Sequence, residues 1–237
     1  MSDAEAMCTQ NEDEPATKGC IRRIKAQLTE ETRRMDRTAT RAKFGLDYLA
    51  TERTFTMGID RRFTAEMARR FCRRRVLETC TGGGFTTIAL ARVAAHIVTV
   101  EIEPAHQVQA KHNLAMAGLA DRVVFVLADI MDEKTWNRLP PVDAAFLDPD
   151  WAVTGPAHVH RFVHSSTQPP ADALLKRTFS ATPNVALVLP PALNVCEFDS
   201  LPPHERQKLY MDQSHELYCL YFGELAISVG DTEFRVG

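Results

Sequence analysis

No apolar run in this sequence approaches the ~20 residues that a membrane-spanning helix requires, so no membrane role is expected. Close cysteine pairs are also missing. Cys8, Cys20, Cys72, Cys80, Cys196 and Cys219 are scattered, which excludes a cysteine-rich zinc site and a disulfide framework and suits a reducing cytoplasm. The first 17 residues contain no lysine or arginine and 5 acids, unlike the basic start of a signal peptide. They also lack apolar periodicity, so residues 1–17 are expected to form a disordered acidic tail. Internal repeats and low-complexity tracts are not seen.

What is present is unevenly charged. Residues 18–75 carry 17 Lys/Arg against 7 acids, and residues 76–237 carry 11 against 19. A basic third on an acidic body points to an anionic partner met by one face. The alternative is that the arginines of "RRFCRRR" (69–75) pair with neighbouring acids. Residues 18–75 read as a helical region. A helix is expected over 18–50, with Ile21, Ile24, Leu28, Leu46 and Leu49 inward, and another over 60–74, with Phe63, Met67 and Phe71 on one face.

From residue 76 the pattern alternates. Strands are read at 75–80, 96–102, 122–129, 142–148 and 184–190, with helices at 85–94 and 104–118 between the first three. Pro104 opens the second of these helices and Gly118 lies at its end. Strand–helix–strand order with fully apolar strands implies an α/β fold, a doubly wound Rossmann-like parallel sheet covered on both faces. Residues 206–214 and 216–225 are nearly adjacent strands and should form a C-terminal antiparallel hairpin. A further short strand is expected after residue 226.

Three acids mark the strand ends of that sheet. "LETCTGGGFT" (77–86) follows a strand and opens a helix, and Gly82 and Gly84 would let the backbone approach a ligand at the helix N-terminus. Glu101, about 20 residues on, is placed to accept from ribose hydroxyls. Glu78 would repel a pyrophosphate but suits a cationic amino-acid group, which favours S-adenosylmethionine over a dinucleotide. Asp129 can accept from an adenine amine. Thr79, Cys80 and Thr86 flank the glycines, Ile102 follows Glu101 and Ile130 follows Asp129, completing the expected cofactor set. The bland alternative is that each acid is a solvated loop residue.

"LDPDW" (147–151) closes the fourth strand, at the next position round the same crevice. Here the chain resembles methyltransferases of nucleobase amines, in particular trimethylguanosine synthase and its relatives, whose motif is Ser-Pro-Pro-Trp. The resemblance spans about residues 44 to 225. It includes "TFTMG", "ETCTGGGFTTI", "VTVEIEP", "AKHNLAMAGLADRVVFVLAD", "VALVLPPALN" and "LYFGEL". It implies an S-adenosylmethionine-dependent methyltransferase over residues 76–237, acting on an exocyclic amine of guanine in RNA. Glu78 and Gly82–Gly84 would hold the methionine part, Glu101 the ribose, and Asp129 with Ile130 the adenine. Asp148 and the Pro149 carbonyl would accept from the substrate amine, Asp150 would sit beside the base, and Trp151 would stack on it.

Three positions depart from the family pattern. Asp148 replaces Ser, Asp150 replaces the second proline, and Phe85 replaces a glycine. Asp150 is expected to add rigidity-free negative charge that would repel phosphate. The rival readings are a methyltransferase for a small molecule or protein side chain, and a non-catalytic RNA-binding protein that kept the fold. "AHVHRFVH" offers His158, His160 and His164, but no acid or cysteine cluster accompanies them, so a substrate-side loop is expected and no metal. The sequence sets no oligomeric state.

Overall fold

The computed structural model describes residues 36–151 and 159–237. The expectations for residues 1–17 and for Ile21, Ile24 and Leu28 lie outside the described residues. Three short helices precede the sheet: α1 (Arg37–Phe44), α2 (Glu52–Met57) and α3 (Arg61–Ala68). The long helix expected through residue 50 stops early. Asp36 caps α1 at its start, and Gly45 ends it at φ 94°, a left-handed conformation that glycine adopts without strain. The register therefore shifts: Leu46 is 45% exposed, and Phe44, Tyr48 and Ala50 are buried instead. Phe63, Met67 and Phe71 are buried as expected, although α3 tightens into a single 3-10 turn from Arg69.

The alternation then follows the sequence reading closely: β1 (Arg75–Thr79), α4 (Phe85–Val93), β2 (His96–Glu101), α5 (Pro104–Met116), β3 (Val123–Leu127), α6 (Glu133–Trp136), β4 (Ala144–Leu147), α7 (Ala171–Thr178), β5 (Val185–Leu189), β6 (His204–Met211), β7 (Ser214–Phe222) and β8 (Gly230–Val236). They build one eight-stranded sheet in the order β3-β2-β1-β4-β5-β7-β6-β8. The pairings from β3 to β5 are parallel, β7 is antiparallel to both β5 and β6, and β8 adds parallel to β6.

Successive strand residues point to opposite faces, and each face has its own core. Val76, Ala144 and Phe146 join Phe44, Phe63, Met67 and Phe71 of the N-terminal helices. Leu77, Ala145 and Leu147 join Leu174 and Leu175 of α7. Edge strand β3 departs from the expected two-sided cover, because Val124 and Leu127 are 47% and 50% exposed.

The N-terminal helices are also tied to the far end of the sheet. Arg70 forms a two-pronged pair with Glu205 on β6 at 2.6 and 2.9 Å, with side-chain exposures of 8% and 0%. Arg69 pairs with Glu66, Arg74 with Glu224 and Arg75 with Asp143. Within "RRFCRRR" the paired-arginine alternative therefore describes these four residues better than an open basic face.

Candidate active site

β1 and β4 are neighbours whose chains leave in opposite directions, β1 toward β2 and β4 toward β5. That switch point opens a crevice beyond the carboxyl ends of the two strands. The glycine turn enters it from β1 and the Asp148–Trp151 turn from β4. In the glycine turn, Cys80, Gly82 and Gly84 all have positive φ, at 61°, 53° and 78°. A Cβ on Gly83 would lie 2.6 Å from the Phe85 ring, and one on Gly84 2.9 Å from Ala110, so both positions need a bare backbone. Gly84 is also the N-cap of α4.

The resulting cleft is open to solvent and has three walls. Cys80–Gly83, Phe85 and Thr86 form one, and Asp148–Trp151 the second. The third comes from α2 and the turn after it, from Thr54 to Ile59. Of the residues expected at the site, Cys80, Gly82, Thr86, Asp148, Pro149, Asp150 and Trp151 meet in this cleft. Glu78, Thr79, Gly84, Glu101, Ile102, Asp129 and Ile130 do not line it.

The reasons are specific. Glu78, expected to face an amino group, is 2% exposed, and its Oε2 accepts from the hydroxyls of Thr87 and Thr99, each at 2.7 Å. Burial pushes its carboxyl up to about 7 in spite of those donors. Glu101, expected at a ribose, accepts from the amides of Gly82 and Glu103, both at 2.8 Å, and so braces the glycine turn from behind. Burial opposes its ionisation. The His106 ring and the two amides outweigh that and hold the carboxyl below its usual range. Thr79 is fully buried and Ile130 belongs to the α7-side core. Ile102 is 66% exposed, and exposed Asp129 accepts from the Met131 amide at 2.7 Å.

Asp148 is half-buried at the cleft wall. Burial, then the charges of Glu78 and Asp150, push its carboxyl up to about 8. Asp150, expected to add negative charge beside the base, is paired with Arg53 of α2 at 2.8 Å. Trp151 is half-buried, lies outside both core clusters and meets buried His160 edge to face at 6.5 Å. That favours a cleft role over plain core packing. His164 donates its amide to Asp172, and His158 lies outside the described residues. Among the described residues no group of three or more His, Cys, Asp or Glu side chains converges as metal ligands would.

One feature was not read from the sequence, a pair of buried amides on α5, Gln109 and Asn113, both 0% exposed. Asn113 accepts from the Leu49 amide and donates to the carbonyls of Leu49 and Gly83, at 2.7, 2.8 and 2.8 Å. Gln109 donates to the Leu49 carbonyl and to Thr54 Oγ1. The pair thus joins the α2 wall to the glycine turn. Their four-residue spacing beside Ala110 and Leu114 was the available signal. Phe85, the substituted glycine, stacks flat on Phe44 of α1 at 3.6 Å and so has a packing function.

A glycine turn and a Pro-containing acidic turn at the switch point of a 3-2-1-4-5-7-6 sheet define a class I S-adenosylmethionine-dependent methyltransferase. The chain belongs to the RNA cap guanine-N2 methyltransferase family, which matches residues 73–221. Among curated relatives it is 31% identical over 130 residues to trimethylguanosine synthase of Schizosaccharomyces pombe, covering 52% of each chain. It is also 45% identical over 80 residues to catechol O-methyltransferase of Mycobacterium tuberculosis, covering 32% of this chain and 36% of the other. The chain thus spans about a third to a half of those relatives. Among solved structures, a Porphyromonas gingivalis chain described as a methyltransferase aligns at TM-score 0.65 with 14% identity, over 89% of this chain and 58% of that one. A T. thermophilus 16S rRNA guanine-N2 methyltransferase, solved with AdoMet and guanosine, aligns at TM-score 0.51 with 17% identity, over 73% and 43%.

Proposed function

We propose that this chain methylates the exocyclic N2 amine of a guanine, in a capped RNA or its cap nucleotide, using S-adenosylmethionine. The observation that carries the reading is the single cleft in which the glycine turn faces Asp148, Pro149 and Trp151. The residues fit the cofactor: bare glycine backbone meets a helix N-terminus in the cleft. Gly82, Gly83 and Thr86 would hold it, with Glu101 supporting Gly82. When bound, S-adenosylmethionine supplies an electrophilic methyl group.

The rest follows from the chain's own groups. Ionised Asp148 and the Pro149 carbonyl accept the two amine hydrogens, which turns the nitrogen lone pair toward the cofactor side of the cleft. Positioning of this kind supplies up to ~7–11 kcal/mol of barrier reduction. Trp151 stacks on the base, and a cationic 7-methylguanine would add roughly 0.5–2 kcal/mol. The test is transfer of labelled methyl to 7-methylguanosine diphosphate, to capped RNA and to uncapped RNA, with the product located by mass spectrometry. Label on N2 of the capped substrates supports the reading, and no transfer to any guanine overturns it.

A further inference from the structure

The family's second motif proline restrains the backbone beside the stacking tryptophan, since a proline ring locks φ near −65°. Asp150 has no such ring, yet its position is fixed from two sides. Its amide donates to the Gln168 carbonyl at 2.9 Å, and the Gln168 amide returns a bond to its carbonyl at 2.8 Å. On the other side its carboxylate meets Arg53 at 2.8 Å, with side-chain exposures of 62% for Arg53 and 13% for Asp150. Arg53 projects from a firm base. α2 begins in a capping box between Thr51 and Thr54, and buried Gln109 bonds Thr54 at 2.9 Å.

We propose that Arg53 is a positioning residue: through Asp150 it straps the Asp148–Trp151 turn to the α2 wall and so sets where Trp151 stands. An ion pair thereby does what a ring does elsewhere in the family. Unlike a ring, the strap weakens as salt screens it. It also cancels negative charge beside Asp148. The inference rests on Trp151 being the base-stacking residue, but the strap itself is measured without any substrate.

The chain has two tryptophans, so Trp136→Phe leaves Trp151 as the sole reporter. Acrylamide quenching of Trp151 is compared in that background with Arg53→Ala, Arg53→Lys and the charge-exchanged double variant Arg53→Asp with Asp150→Arg. The expected result is stronger quenching in Arg53→Ala, by up to about fivefold, the upper limit for a pair whose arginine is largely exposed. Lysine and the exchanged pair should restore most of the protection. Added salt should raise quenching in the parent and leave Arg53→Ala unchanged. Where transfer is measurable, KM for 7-methylguanosine diphosphate should rise by a similar factor, with S-adenosylhomocysteine affinity unchanged. Equal quenching in parent and Arg53→Ala, or no recovery in the exchanged pair, overturns the strap. Quenching that responds while no variant transfers methyl keeps the strap and removes the proposed function instead.

Discussion

Asn113 is the side chain on which the glycine turn and the α2 wall jointly depend, and Asn113→Ala isolates that dependence. The amide makes three bonds from a fully buried position, to Leu49 N, Leu49 O and Gly83 O. Leu49 O retains Gln109 Nε2 at 2.7 Å, so the loss falls on the Leu49 amide and the Gly83 carbonyl. A buried polar group that loses its partner costs ~1–3 kcal/mol. Two such groups sum to about 4 kcal/mol. At ~2–4 °C per kcal/mol for a chain of this size, Tm should fall by roughly 8–16 °C. S-adenosylhomocysteine binding should weaken as well, because Gly83 lines the cleft. Asn113→Asp adds a sign test. A carboxylate there keeps the acceptor for Leu49 N but faces two carbonyls, so its folded pKa is raised above the ordinary value near ~4. The raised group contributes stability that is complete below the unfolded pKa and lost as pH rises through the folded one. Asn113→Asp should therefore recover toward the parent Tm on acidification, whereas Asn113→Ala should not. A Tm within 2 °C of the parent for Asn113→Ala, measured by circular dichroism, would refute the reasoning, as would a pH-independent Asn113→Asp.

Trp151→Ala should weaken a guanine ligand by the ~1–3 kcal/mol of base–aromatic stacking, about 5- to 150-fold, and leave S-adenosylhomocysteine affinity within about twofold. Loss of cooperative unfolding in that variant would show instead that the indole holds the fold. Arg70→Ala breaks a buried pair and leaves the Glu205 carboxylate with only the Ile227 amide and the Thr232 hydroxyl, at up to about 3–5 kcal/mol, so Tm should drop by as much as roughly 6–20 °C, and an unchanged Tm would mean that the pair is dispensable. Glu78 and Asp148, raised to about 7 and 8, bind protons more tightly folded than unfolded. Their stability contribution is full below about pH 4 and disappears as pH climbs through 7 and 8. The fall in Tm over that window should flatten in Glu78→Gln with Asp148→Asn. Methyl transfer should rise over the same window as Asp148 ionises, and a rate that falls there contradicts the acceptor role of Asp148.

The sheet was legible because its strands are short, apolar and separated by capped helices, as Pro104 and Gly118 illustrate for α5. The hairpin of β6 and β7 was equally plain. The partners of the acids were not. Glu78 and Glu101 were found at their strand ends, but the commitment of their oxygens to Thr87, Thr99 and the Gly82 amide depends on how α4 folds back over β1 and β2. The partner of Asp150 was not legible because Arg53 lies 97 residues away in sequence. Gln109 and Asn113 were passed over, since nothing local shows that this face of α5 is covered by Leu49 and Gly83. The α1 boundary was missed through Gly45, whose left-handed turn ends the helix despite continued apolar residues.

The central claim is that one cleft holds a cofactor half and a base half. Calorimetric titration of the protein with S-adenosylhomocysteine, followed by 7-methylguanosine diphosphate into the saturated complex, tests it directly in parent and Trp151→Ala. Saturable cofactor-product binding is expected in both proteins, with nucleotide binding weakened about 5- to 150-fold only in Trp151→Ala. Absence of S-adenosylhomocysteine binding in the parent, or nucleotide binding indifferent to Trp151, would contradict it.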